Sequence, residues 1–138
     1  LRDRYSLGLL SNFTHGPAAR EILNRTGLSL YFKTILISGE VGFRKPYPLV
    51  FQKLREGLET AGDQILYIGD DPDPDIHGAK GAGIQPVWMT YVRDNEVPLP
   101  RGMLLGHVVR PAFEVPRISR WDDLFTLLDN PSPHAALL

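Results

Sequence analysis

Apolar positions along the chain come in short blocks separated by Gly, Pro and small polar residues, and successive blocks alternate between strand-like and helix-like spacing. The stretch Ser6 to Asn12 (SLGLLSN) is briefly apolar and closes in small polar residues, which predicts a buried strand running into a loop. Pro17 suits the first turn of a helix that carries Ala18, Ala19, Ile22 and Leu23, and Gly27 supplies its stop. Thr34 to Ile37 (TILI) predicts a second strand. The turn-rich SGEVGFRKPYP then leads to Pro48, where a second helix opens with Val50, Phe51, Leu54 and Leu58 on one face. Ile65 to Ile68 (ILYI) predicts a third strand, closed by Gly69 and the acidic run DDPDPD. IHGAKGAG then reads as a short helix ending near Gly83, and Gln85 to Tyr91 (QPVWMTY) as a fourth strand.

Strands alternating with helices at this interval predict the α/β class, a doubly wound, mostly parallel sheet of Rossmann-like type covered on both faces. Beyond Asn95, EVPLPRG reads as a connector, and Leu104 to Val109 suits a strand or a loop. Ser119 followed three residues later by Asp122 predicts a capping box for a last helix bearing Leu124, Phe125, Leu127 and Leu128. The expected organisation is one core domain over residues 1–128 and a disordered tail over 129–138, with no internal repeat and no linker dividing the chain.

A length of 138 residues supports one core, removing roughly two-thirds of the unfolded surface from water. The 13 Gly and 12 Pro are spread as punctuation and do not form low-complexity tracts. The 15 Lys and Arg balance 16 Asp and Glu to a net charge of -1, which argues against a nucleic-acid partner or an anionic membrane. The absence of Cys excludes disulfides, thiolate metal sites and a Cys nucleophile. Neither a membrane span nor a signal-peptide pattern is seen, so the expected location is the cytoplasm. The chain opens on Leu1 instead of Met, which leads to the expectation that residue 1 is a trimmed end.

In a doubly wound sheet ligands bind beyond the carboxyl ends of the strands. Ser11 and Asn12 follow the first strand, Lys45 follows the second, and Asp70, Asp71, Asp73 and Asp75 follow the third. A hydroxyl, an ammonium and clustered carboxylates suit phosphoryl chemistry. Adjacent carboxylates are relieved by a hard dication, which makes Asp70 a candidate Mg2+ ligand, while the hydroxyl, a backbone N–H and the ammonium hold a phosphoryl group.

Other motifs fail on their letters. A calcium loop starting at Asp71 would need Gly sixth and Glu twelfth, where Ile76 and Ala82 stand. GAKGAG at 78–83 carries the glycine spacing of a dinucleotide loop in reverse, and it follows the acidic loop instead of a strand. His15, His77, His107 and His134 lack metal-ligand spacing, and surface or helix-capping roles suit them. Trp88 and Trp121 read as packing residues.

From Leu7 to about Tyr91 these residues resemble the haloacid dehalogenase-like hydrolases, mostly Mg2+-dependent phosphatases that work through an aspartyl-phosphate. LLSN, with Ser11, matches the family's second motif; SGEVGFRKPYPLVF, with Lys45, matches its third; YIGDDPDPDIHGAKGAG matches its fourth. The resemblance implies that Ser11 and Lys45 are catalytic and that Ser11, Asn12 and Lys45 bind phosphate. It likewise implies that Asp70 binds the metal, that Asp71 is a further candidate ligand, and that Asp75 orients a metal-bound water or the Lys. The substrate class it implies is a small phosphorylated metabolite.

The family's first motif, Asp-x-Asp after the first strand, does not precede Ser11, and Asp3 cannot replace its nucleophile. The expectation is therefore an inactive piece of an active enzyme. Its missing strand would lie between the strands ending at Asn12 and Gly69, and the exposed edges would invite self-association or pairing with a missing N-terminal segment. The distance from Ser11 to Lys45 leaves no room for a large cap domain there. Two other readings remain: a catalytically dead binding or assembly module, and a phospho-receiver domain, whose acidic pair would come before its Lys.

Overall fold

The computed structural model describes residues 1–98 and 110–129. These fall into two compact units, Leu1–Ile65 and the residues from Leu66 onward. All strand pairs are parallel, and the strands form two separate sheets, one in each unit.

The first unit runs β1 (Gly8–Ser11), α1 (Gly16–Arg25), a 3-10 turn at Leu28–Tyr31, β2 (Thr34–Ile37), the single-turn α2 (Ser38–Val41) and α3 (Pro48–Leu58). The register Gly8↔Thr34 to Ser11↔Ile37 brings the carboxyl ends of β1 and β2 level. Val50, Phe51, Leu54 and Leu58 of α3 are buried, as are Leu10 and Ile37, so the face predicted from the 3.6-residue period is the core face. His15 caps α1, its Nδ1 accepting from Ala18 N–H at 3.0 Å, and Pro17 stands in the first turn. Arg20 reaches from α1 to Glu40 of α2 in a forked pair, Nη2–Oε2 2.7 Å and Nε–Oε1 3.0 Å.

The second unit runs β3 (Leu66–Gly69), a π-helical turn at Pro72–His77 leading directly into α4 (Gly78–Gly81), β4 (Gln85–Met89), α5 (Tyr91–Asp94), β5 (Arg117–Ile118) and α6 (Trp121–Asp129). Strand order is β3-β4-β5. Val87, Ile118 and Leu124 are buried together, with Leu66, Ile68, Met89, Leu127 and Leu128 packed against them.

The structure departs from the sequence pattern at four points. The fourth strand stops at Met89, because Thr90 donates through Oγ1 to Asp94 at 2.6 Å and Tyr91 starts a helical turn. The two-residue β5 has no counterpart in the pattern; Trp88 N–H bonds Pro116 O at 2.8 Å and Thr90 N–H bonds Ile118 O at 2.9 Å. The last helix begins at Trp121, so its third residue is Asp123, and Asp123 instead of Asp122 accepts from Ser119 N–H and Arg120 N–H, both at 2.9 Å. Phe125 is exposed, leaving Leu124 as the buried residue of that helix. Leu104 to Val109, and the tail from residue 130, lie outside the described residues, and Asp129 is the last residue of α6. Among the described residues no helix is long and apolar enough to cross a membrane.

Candidate active site

At the carboxyl end of β1, Asn12 bonds the backbone of Lys45 in both directions. Its Nδ2 donates to Lys45 O at 3.1 Å and its Oδ1 accepts from Lys45 N–H at 2.8 Å. This carboxamide ties together segments 33 residues apart, and the Lys45 ammonium reaches back to Leu10 O at 3.2 Å. Ser11, Asn12 and Lys45, each half-buried, are thereby gathered at one strand end.

The turn leading toward Lys45 is held close to the loop after β1. Ser38 Oγ and Gly39 N–H both donate to Phe13 O, at 3.1 and 3.0 Å. A Cβ at position 39 would run into the Thr14 carbonyl, so a side chain there is incompatible with this approach. Lys45 is flanked by Phe43 and Tyr47, whose rings stack at 5.1 Å, and its bond to Pro46 is cis.

In the second unit the acidic run turns immediately after β3, and its four carboxylates differ sharply in exposure. Asp70 and Asp73 are exposed, Asp71 is half-buried, and Asp75 is 4% exposed. Asp75 turns inward: Oδ2 accepts from Asp70 N–H at 3.2 Å and Asp71 N–H at 3.1 Å, while Oδ1 accepts from Tyr67 OH at 3.2 Å. Burial, together with the Asp75 and Asp70 carboxylates, pushes the Tyr67 phenol far above its ordinary value, so it serves as a protonated donor. Trp88 Nε1 donates to Asp70 O at 3.1 Å.

Gly69 is required at the head of this turn, because a Cβ there would overlap Cβ and Cγ of Asp75. The π-helical turn that follows is a widening of the kind found at functional sites. On its far side His77 Nε2 accepts from Ala112 N–H at 3.2 Å and Lys80 Nζ lies 3.5 Å from the centre of the Phe113 ring.

The sequence profile described as haloacid dehalogenase-like hydrolase matches residues 1–89. The chain belongs to the haloacid dehalogenase-like hydrolases. Among curated relatives, the phosphoserine phosphatase of Thermus thermophilus is 40% identical over 88 residues, covering 64% of this chain and 35% of the relative. The pyrimidine 5'-nucleotidase YjjG of Escherichia coli is 35% identical over 94 residues, covering 64% and 40%. The chain thus spans between a third and two-fifths of the length of these relatives. Among solved structures, the putative haloacid dehalogenase hydrolase YfnB of Bacillus subtilis, bound to magnesium, superposes with a TM-score of 0.74 at 25% identity, over 94% of this chain and 51% of that one.

The family relationship raises the question of whether the acidic turn suits Mg2+. Among the described residues no group of three His, Asp or Glu side chains is arranged to enclose a metal. Mg2+ does not require one, since it keeps several waters and is commonly held by one or two carboxylates plus substrate phosphate. The Asp70 and Asp71 carboxylates are hard oxygen groups on a turn whose backbone Asp75 already holds, a donor set that fits that mode.

Three residues around this turn make contacts that their letters do not announce. Tyr67 and Trp88 have the look of core aromatics, and only register reveals that Trp88 lies beside Gly69 at the strand end. His77 takes its backbone partner 35 residues away, a contact without any local signature.

Proposed function

We propose that this hydrolase is the partial core of a Mg2+-dependent phosphatase acting on a small phosphorylated metabolite through an aspartyl-phosphate. The observation that supports the reading is the reciprocal bonding of Asn12 with the Lys45 backbone, together with the reach of the Lys45 ammonium to Leu10 O, which keeps Lys45 beside the end of β1 where Ser11 stands. Ser11 Oγ and the N–H of Asn12 hydrogen-bond the phosphoryl oxygens, and Lys45 neutralises charge on the transferring group. Asp70, with Asp71 as a further donor, holds the metal, and Asp75 orients them through their amides. Mg2+ held there would supply positive charge toward a phosphorylated ligand. The named substrates of the relatives, phosphoserine and pyrimidine 5'-nucleotides, are both small phosphate monoesters, which supports the substrate class.

No Asp-x-Asp precedes Ser11 in these 138 residues. We therefore assign binding, and no turnover, to the chain alone. Pairing of β1 or β3 with a further segment of the protein or with a second copy belongs to the same proposal.

The binding half is tested by titrating the chain with inorganic phosphate, followed by 31P NMR. Lys45→Ala removes a charge-assisted contact worth about 1.5–3 kcal/mol and should weaken binding by at least tenfold, with a smaller loss for Ser11→Ala. Unchanged binding in Lys45→Ala overturns the assignment. Phosphate binding by the complete protein without any ester hydrolysis would favour the binding-module reading.

A further inference from the structure

We propose that Trp88 is a positioning residue for the metal-binding turn, acting through its indole N–H on the Asp70 carbonyl; this rests on the reading of Asp70 as a Mg2+ ligand. Asp70 is exposed and lies beyond the end of β3, so the direction its side chain takes depends on what fixes its backbone. Both polar backbone atoms of Asp70 are held by side chains. Its N–H goes to Asp75 Oδ2 at 3.2 Å and its carbonyl accepts from Trp88 Nε1 at 3.1 Å, while the next N–H, of Asp71, returns to Asp75 Oδ2 at 3.1 Å. The peptide planes on either side of Asp70 are therefore set from opposite directions, which fixes the direction in which its Cβ leaves the chain. An ionised carboxylate only accepts, so Asp75 cannot bond the carbonyl; that position needs a donor.

Trp88 is well anchored for this task. It is 8% exposed, it pairs in register with Gly69 of β3 and Arg117 of β5, and the Arg93 guanidinium lies over its ring at 5.2 Å. Mere filling of space would need no N–H. Partners that orient a metal's ligands typically contribute 10–100-fold to affinity, and Trp88 is placed to act in that way on Asp70.

The test is a titration of the chain with Mn2+, free ion being followed by electron paramagnetic resonance, for the unaltered chain, Trp88→Phe and Asp70→Asn. The proposal expects Asp70→Asn to abolish binding and Trp88→Phe to weaken it by about tenfold or more while circular dichroism stays unchanged. Binding in Trp88→Phe equal to the unaltered chain, with Asp70→Asn still abolishing it, overturns the role of Trp88 and leaves the metal reading intact. Undiminished binding in Asp70→Asn overturns the metal reading and the proposal with it. Should Trp88→Phe fail to fold, the benzothiophene isostere of Trp88 keeps the ring and removes only the N–H. The same loss with the isostere supports the proposal, and unchanged affinity refutes it.

Discussion

Replacing Asp75 by Ala removes an acceptor shared by three donors. Tyr67 is 8% exposed, so its hydroxyl loses a charged acceptor with little water to replace it, a loss of about 1.5–3 kcal/mol. The amides of Asp70 and Asp71 lie on a turn open to solvent and can rehydrate, so each contributes only about 0.5–1 kcal/mol. Relief from keeping a buried carboxylate out of water offsets part of this, and the net destabilisation should be about 2–4 kcal/mol, a large share of a typical total of about 5–15 kcal/mol. Urea unfolding followed by circular dichroism measures it. Tyr67→Phe alone should cost about 1 kcal/mol, and the double variant should fall short of additivity by about 1 kcal/mol, since both changes remove one contact. An Asp75→Ala chain within about 0.5 kcal/mol of the original, or strict additivity with Tyr67→Phe, would show that the carboxylate does not organise the turn.

Gly69→Ala should destabilise by about 1–3 kcal/mol in the same assay, because the new Cβ meets the base of the Asp75 side chain and not its mobile end; an unchanged midpoint would mean the turn relaxes freely. The raised Tyr67 phenol predicts an alkaline limb. The folded chain keeps this proton where the unfolded chain loses it, so stability is level below about pH 10 and then falls by up to about 1.4 kcal/mol per pH unit, and Tyr67→Phe should flatten that limb. At the last helix, the amides of Ser119 and Arg120 hold the Asp123 carboxyl below its ordinary range. Asp123→Ala should lower the melting temperature at pH 7 and Asp122→Ala should not. The difference should vanish as pH falls through the lowered Asp123 value, since the cap stabilises only when ionised.

The periodic stretches are legible in the sequence itself. TILI and the Pro48–Leu58 helix appear where the pattern places them, because a strand or helix that buries one face must repeat its apolar positions at that element's period. The positions of Ser11 and Asp70 are legible for the same reason, each standing where a strand pattern gives out, whereas Lys45 comes only after the α2 turn that follows β2. Long-range bonding is what the letters do not carry. The carboxamide of Asn12 grips a residue 33 positions on, and Trp88 reaches a carbonyl 18 positions back, neither with a local sequence signal. β5 leaves no trace in the pattern because two residues after Pro116 are too few to show alternation. The capping-box spacing points one residue early because Asp122 and Asp123 are chemically equivalent, and only the helix start at Trp121 decides which of them reaches back.

Under the function proposed above, these residues belong to a Mg2+-dependent phosphatase in which Asp70 holds the metal. The most direct measurement is release of inorganic phosphate from p-nitrophenyl phosphate by the product of the complete reading frame that contains this chain, with and without Mg2+, beside its Asp70→Asn variant. The expected result is release that requires Mg2+ and is abolished by Asp70→Asn. Release that persists in Asp70→Asn, or that proceeds equally well with Mg2+ chelated, would contradict it.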